Sequence, residues 1–591
     1  MKKREKFQWI VILILAMLTG SLAGCGKAGE PEGSLTEPQE SLTESQESLT
    51  ESQESLAEPQ RELVYVGESL LSAREVQQPP SSDKYRTFYE IFVYSFWDSN
   101  GDGIGDLAGV TQKLDYLNDG DPATDSDLGI NGIWLMPVMP SNTYHKYDVK
   151  DYMAIDPVYG SMEDFEKLVA ECGQRGINVI IDLVMNHTSS AHPWFVEAAD
   201  YLKNLGDGEP DPEVCPYVDY YNFHKGIQSG YTRLGETDWY YEAGFWSEMP
   251  DLNLNNENVR KEFEEICRFW LEKGVAGFRL DAVKEFVSGD TEANVEILTW
   301  FNDMVKGISP DAYLVGEAWL PQTEYAQYYA SGIDSFFDFS FADSTGNIQK
   351  FVSGQKAASD YSAFVARGEQ RFAEQNEHYI NAPFYSNHDM DRSAGYYSGA
   401  RAEQQIKMAA ALNMTMSGSA FLYYGDEIGM QGSGKDENKR LGMRWTADAD
   451  GEGMCVGPQD ADQGIDQNFQ ALDVQLGDAS SLCTWYRNLI RLRNQFPSIR
   501  KGTTEELGAL SDKELCALAK SFDGETVVIL YNISEEVKTV DLSAAVLADG
   551  TPLETGMLEA TLVSGGTRVS VEGEGLVMPE YSVAVLLVKE P

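Results

Sequence analysis

From about residue 85 the chain alternates two textures. Short apolar runs at 130–137, 178–185, 276–283 and 313–318 are separated by stretches at Met162–Gln174, 258–273 and 295–305 whose apolar residues recur every three or four positions. The first texture predicts buried strands and the second amphipathic helices, so the alternation predicts βα units around a mainly parallel sheet. Between His187 and about Asp251 the rhythm fails in a run rich in Pro, Gly, Asp and Tyr. That run is too long for a bare loop and predicts a small inserted domain over 188–251. After Gly502 the pattern turns to short β-like runs such as 526–531 and 582–588, which predict a C-terminal β-sandwich over 503–591.

The first 84 residues follow neither pattern. Lys2, Lys3, Arg4 and Lys6 precede an apolar stretch at 9–18, and Leu22-Ala23-Gly24-Cys25 closes it. A positive n-region, a short h-region and a small-residue site mark a signal peptide over 1–24, and the site resembles a bacterial lipobox. The apolar stretch falls short of the ~20 residues of a membrane span. The expectation is a lipidated Cys25, anchoring the chain at the extracellular face of a bacterial membrane. Residues 33–60 then repeat every seven positions, with leucine at 35, 42, 49 and 56. A coiled-coil seam needs two apolar positions per heptad, and only one recurs. The prolines and unbalanced glutamates predict a solvated acidic linker over 25–84.

At 591 residues the chain exceeds a single core, although a (β/α)8 barrel absorbs ~250 residues or more by itself. The formal net charge of -50 repels nucleic acid and anionic head groups, which removes both as partners. Nothing in the pattern calls for an obligate protein partner. Cys172, Cys215, Cys267, Cys455, Cys483 and Cys516 include no C-x-x-C pair, so they predict buried thiols rather than a zinc or redox site.

The chemistry gathers where apolar runs stop. On a strand through Gly277-Phe278-Arg279-Leu280-Asp281, Arg279 and Asp281 share one face while Phe278 and Leu280 share the other. The apolar face suits helix packing, which turns both charges toward the sheet's interior, where they must pair or serve a site. Asp182, Asn186 and His187 end one neighbouring run, Glu317 ends another, and Asn387-His388-Asp389 ends a third. Barrel active sites are built from such strand ends.

DLVMNH (182–187), GFRLDAVK (277–284), GEAW (316–319) and SNHD (386–389) resemble, in order and spacing, four sequence regions of the α-amylase family of glycoside hydrolases. GINGIWLMPVMPS (129–141), MPDLN (249–253), YHKYDVKDY, FLYYGDEIG and NLIRLRNQFP are in register too, so the similarity runs from about Tyr85 to Gly502. The resemblance implies a (β/α)8 TIM barrel formed by 85–187 and 252–502, with an inserted domain B and a C-terminal antiparallel β-sandwich. It implies Asp281 as nucleophile, Glu317 as acid/base and Asp389 as the carboxylate that grips the sugar. It further places Tyr147, Asp148, His187, Arg279, Lys284 and His388 on the substrate. A retaining mechanism needs one ionised and one protonated carboxyl ~5–5.5 Å apart, which explains the residue types.

Asp98-x-Asn100-x-Asp102-Gly103-Ile104-x-Asp106 alternates oxygen donors around a glycine, like the front of an EF-hand loop. The twelfth position is Gly109 instead of glutamate, and 88–96 alternates like a strand, and both features disfavour an EF-hand. The family resemblance implies a structural Ca2+ held by these side chains and the Ile104 carbonyl. A second calcium site stays open, because Glu285 replaces the histidine that often follows the lysine. Ala282-Val283-Lys284 is similar to α-1,4-acting members and MPDLN to an intermediate group of amylases, cyclomaltodextrinases and neopullulanase-like enzymes, which together imply starch or maltodextrin as the α-glucan substrate and endo action. An α-1,6-acting glucosidase, a neopullulanase-like enzyme and a glucanotransferase are the alternatives. An inactive glucan-binding barrel is disfavoured by the complete carboxylate trio, and a solute-binding lipoprotein by the strand-end carboxylates.

Overall fold

The computed structural model describes residues 64–589; the signal peptide, Cys25 and the heptads lie outside the described residues. Seven parallel strands hydrogen-bond in the order Ser335–Phe336, Tyr313–Gly316, Gly277–Leu280, Asn178–Leu183, Gly132–Leu135, Thr87–Ile91 and Ala420–Tyr423. The ring closes through 381–384. Ala382 bridges Phe337, Asp338 N–H donates to the Ala382 carbonyl at 3.0 Å, and Phe421 N–H donates to the Pro383 carbonyl at 2.8 Å. Pro383 has no N–H to give, which keeps this eighth segment from forming a full ladder. The result is a (β/α)8 barrel with additional C-terminal β-sheets.

Local chemistry sets the helices that wrap it. Met162–Gln174 starts at a capping box in which Ser161 and Asp164 satisfy each other's amides, and it buries Phe165, Leu168 and Cys172. Glu257–Glu272 begins on the Asn256 cap and Thr291–Ile308 on the Asp290 cap, each with one buried apolar stripe.

Inside the barrel the strands divide by height. Phe88, Trp134, Ile180, Tyr313, Val315 and Phe421 form an apolar cluster of their own, whereas Phe278 and Leu280 pack outward with the helices. One pleat further toward the C-terminal ends the inward positions become Glu90, Asp182 and Arg279, with Asp182 and Val315 in register beside Arg279. Small residues make room for this packing. A Cβ on Gly132 would meet the Phe88 ring at 2.4 Å, and one on Gly277 would meet the Tyr313 carbonyl oxygen at 1.8 Å. The barrel floor is therefore dry and filled, and its rim is charged.

Between the third and fourth barrel strands the chain leaves for helix Pro193–Asn204 and a small antiparallel sheet of Phe223–Lys225, Trp239–Glu242 and Tyr231–Arg233. It re-enters beside its exit, where His187 bridges Asp251. The C-terminal region holds a seven-stranded sheet and a three-stranded sheet. Ala517, Val528, Leu530, Ala584 and Leu586 on one face of the larger sheet form a core with Val540, Leu576 and Met578 of the smaller. The alternate residues Leu518, Val527, Ile529, Val583 and Val585 join the barrel's core. One expectation changes here. Residues 64–71, read from sequence as the end of a solvated linker, form strands Val64–Val66 and Ser69–Leu71, and the second pairs with Leu558–Val563. Their run is too short for periodicity to reveal, and only the distant partner strand defines it. Of the six described cysteines, five are buried and Cys455 is half-buried; all are free. Among the described residues no helix is long and apolar enough to cross a membrane.

Candidate active site

The rim of the barrel is organised by Arg279, which is fully buried. Its Nη1 donates to Asp182 Oδ1 at 2.9 Å and to Asp281 Oδ1 at 2.6 Å. Its Nη2 lies 2.9 Å from Glu317 Oε2 as an ion-pair contact, with the N–H off the line of a hydrogen bond. One guanidinium thus holds three carboxylates from three consecutive strands. Burial opposes the Arg279 charge, and Asp182, Tyr147, Glu317 and Asp281 outweigh it, so its pKa is raised. The guanidinium carbon also lies 5.1 Å from the Trp134 ring centroid.

The backbone then separates the two carboxyls that matter. Strand Gly277–Leu280 ends at Asp281, and Ala282 turns into the left-handed region at φ 48°. A non-glycine residue there costs on the order of 1 kcal/mol. The turn aims Ala282 N–H at Glu317 Oε2, 3.1 Å away, while Glu317 N–H donates to the Leu280 carbonyl at 2.9 Å. Burial first, then Asp281 and Asp389, push the Glu317 carboxyl up to about 7, against the pull of Arg279. Glu317 is therefore a carboxyl that holds its proton near neutrality beside Asp281.

A second network holds Asp389. His388 Nδ1 contacts Glu90 Oε1 at 2.5 Å, and its Nε2 lies 2.7 Å from Tyr147 OH and 3.1 Å from Asp389 Oδ2. Burial works against a charged imidazole, but Asp389 and Glu90 raise His388 to about 10. Both ring nitrogens then donate, and the Tyr147 hydroxyl donates to Asp182 Oδ2 at 3.0 Å. Arg440 Nη2 donates to Asp389 Oδ1 at 2.8 Å and its Nε to the His388 carbonyl at 3.0 Å. Burial would raise Asp389, yet His388, Arg440 and Arg279 hold it far below the carboxylate range. His187 is the reverse case. Burial lowers its pKa, and its Nε2 is buried without a partner beside the cleft.

These groups line a cleft of about 480 Å3 at the C-terminal end of the barrel. Of the residues expected on substrate, Tyr147, His187 and Lys284 border it together with Asp281, Glu317 and Asp389, while Arg279 and His388 lie directly behind. Asp148 does not border it. Its carboxylate accepts from Thr143 Oγ1 at 2.5 Å, Asn142 N at 3.1 Å, Ser189 Oγ at 3.2 Å and Ser141 Oγ, so its oxygens are engaged by its own loop and by Ser189. Glu90, His145, Phe245, Trp319 and Arg440 belong to the site without having been picked out from sequence. Glu90 left a trace, a carboxylate between Phe88 and Phe92 on an apolar strand; Arg440 sits in an aperiodic loop and left none.

The 98–106 loop folds on itself. Asp98 accepts Gly101 N at 2.6 Å and Gly103 N at 2.7 Å, Asn100 Oδ1 accepts Asp102 N at 3.0 Å, and Asp102 Oδ1 accepts Ile104 N at 2.9 Å. Asp106 caps helix Leu107–Gln112 through Gly109 N at 2.7 Å. The donors are all oxygen, the set that suits calcium. Among the described residues no three His, Cys, Asp or Glu side chains converge as a formed metal centre.

Residues 90–502 match the model of the alpha-amylase catalytic domain. The chain is 37% identical over 464 residues to "Alpha-amylase 3" of Dictyoglomus thermophilum, covering 78% of this chain and 87% of that one. It is 30% identical over 518 residues to the trehalose-6-phosphate hydrolase of Escherichia coli, covering 76% of this chain and 90% of that one. The solved structure of Eubacterium rectale Amy13B superposes with a TM-score of 0.82 at 47% identity, covering 88% of this chain and 97% of that one. The barrel rim, the paired carboxyls and these likenesses agree: the chain belongs to the alpha-amylase family and is a glycoside hydrolase.

Proposed function

We propose that this glycoside hydrolase cleaves α-1,4-glucosidic bonds within starch or maltodextrin by a retaining double displacement. The observation that carries the reading is the pair Asp281 and Glu317, both held by the Arg279 guanidinium on the wall of one cleft, with burial and the Asp281 charge raising the Glu317 carboxyl above its ordinary range. Glu317 gives its proton to the glycosidic oxygen as that bond breaks, and Asp281 attacks the anomeric carbon to form a glycosyl ester. Glu317, now ionised, takes a proton from water, the water oxygen displaces Asp281, and both carboxyls return to their starting states. Asp389, fixed by His388 and Arg440, accepts hydrogen bonds from ring hydroxyls, and His187 Nε2 offers its free position to another. Tyr147, stacked on His388 at 5.5 Å, underlies the ring.

Ala282-Val283-Lys284 supports α-1,4 selectivity, and MPDLN is the form shared by the intermediate group that includes amylases and neopullulanase-like enzymes. Digestion of end-blocked maltoheptaose, isomaltose and pullulan tests this. Cleavage of isomaltose with intact maltoheptaose overturns it, and disproportionation without net reducing ends favours a transferase. A calcium ion would be held by Asp98, Asn100, Asp102, Asp106 and the Ile104 carbonyl, where it supplies rigidity to the loop after the first barrel strand. Cys25 is the lipid attachment point in the same reading, with the enzyme anchored outside a bacterial membrane; palmitate labelling lost in Cys25→Ala tests it.

A further inference from the structure

The cleft has two chemically different ends. Tyr147, Asp389 and Arg440 close one, and there every charge is matched at hydrogen-bond distance. Lys284, Glu285, Trp319 and Phe245 line the same cleft outside that hydrogen-bonded network, with Lys284 and Glu285 following Asp281 and Trp319 following Glu317 along the chain, and this wall is taken as the leaving-group end. Trp319 is 44% exposed and stacks on Phe339 at 5.0 Å and 17°, which holds its free face toward the cleft. Phe245, 55% exposed, packs against His187 at 5.5 Å. Two fixed aromatic faces suit a sugar or aryl aglycone of modest polarity.

The polar side of this end is a single ion pair. Lys284 Nζ lies 2.9 Å from Glu285 Oε1, and Ser288 Oγ donates to Glu285 Oε2 at 2.9 Å. Lys284 and Ser288 overcome partial burial to keep Glu285 ionised. Among the described residues that line this end, Lys284 is the cation, and Glu285 pairs with it. The other cation on the cleft wall, Arg440, is engaged by Asp389 and by Asp436 at 3.5 Å. An anionic aglycone therefore meets Glu285, Asp281 and the wider acidic field with no free cation to receive it.

We propose that Glu285 is a specificity-determining residue: by occupying Lys284 and facing the leaving-group end, it excludes substrates whose aglycone carries a negative charge, such as a phosphorylated or carboxylated sugar. This rests on the retaining hydrolase reading above. It is selection by repulsion and by withholding a partner, and the neutral aglycone needs neither group changed.

The test uses two aryl α-maltosides of similar leaving-group acidity, 4-(hydroxymethyl)phenyl and 4-carboxyphenyl, with kcat/KM measured for each on the full chain and on Glu285→Gln. The ratio of the two values cancels any loss of folded protein. The full chain is expected to prefer the neutral glycoside, and Glu285→Gln to narrow that preference about five- to tenfold, the worth of one unit charge on a half-exposed wall. Salt at 0.5 M is expected to narrow the preference of the full chain and to move that of Glu285→Gln less. Lys284→Ala in the Glu285→Gln background is expected to restore the preference, because the freed cation is then gone. An unchanged ratio in Glu285→Gln, or a salt-independent one in the full chain, overturns the role of Glu285. Absence of turnover on both maltosides and on end-blocked maltoheptaose overturns the α-1,4 reading instead.

Discussion

Glu317→Gln separates the electrostatics of the site from its chemistry. The ordinary glutamate pKa is 4.5 and burial lifts Glu317 to about 7, so ionising it in place costs about 3 kcal/mol at about 1.4 kcal/mol per pH unit. The side chain is only 10% exposed, so solvent screening takes little from that figure. A carboxyl raised on folding binds more protons folded than unfolded between 4.5 and 7, and stability falls as pH rises through that window. Between pH 5 and 8 the wild-type chain loses roughly 2 to 3 kcal/mol through this one group, a loss that glutamine cannot suffer. For a chain of this length the unfolding entropy is roughly 1.2 kcal/mol per kelvin, so the stability gap corresponds to about 2 °C. Melting curves of both proteins at pH 5 and pH 8 measure it. The variant should gain about 2 °C on the wild type at pH 8 relative to pH 5, while turnover of maltoheptaose is nearly abolished. The wild-type kcat/KM should fall on the alkaline side of about pH 7 as the acid is lost. A melting difference that is the same at both pH values refutes the placement of a buried proton on Glu317.

Three further outcomes follow from the same geometry. Asp281→Ala should fold and bind maltoheptaose yet lose about 10^4-fold or more in kcat; substantial turnover in a folded sample removes it as nucleophile. Arg440→Met frees Asp389 from a buried charge-assisted bond, and kcat/KM should drop about 10- to 100-fold with the loss spread over both parameters; a change under threefold shows Asp389 does not depend on it. If the 98–106 loop holds calcium, saturation to about 100 times Kd adds about 2.7 kcal/mol of stability, chelation lowers the melting temperature, and Asp98→Ala abolishes the difference; identical melting with and without calcium refutes the site.

The alternation of apolar runs and amphipathic stretches placed the barrel strands Gly132–Leu135, Asn178–Leu183, Gly277–Leu280 and Tyr313–Gly316 and the helices between them, because each period reflects one element's own burial, but it did not pick out the short strands Ser335–Phe336 and Ala420–Tyr423. Strand phasing likewise turned Arg279 and Asp281 to one face, and the structure puts both at the rim with Asp182 and Glu317 beside them. Motif order told which carboxyl belonged to which strand end. Other features were legible only in part. Asp148 stands next to Tyr147 in a matching motif, and no periodicity could show that its oxygens would be taken by Ser141, Thr143 and Ser189.

What the sequence determined by itself was therefore local: which segments form strands, which faces they bury, and where charge collects at their ends. What only the tertiary structure decided was the company each charge keeps. Arg440 reaches Asp389 from 51 residues away, Glu90 reaches His388 across 298, and strand Ser69–Leu71 finds Thr561 at the far end of the chain. Proton affinity depends on burial and on charges within a few ångströms, and such distances are set by chain closure. Glu317 becomes an acid at neutral pH only when the barrel has closed around it.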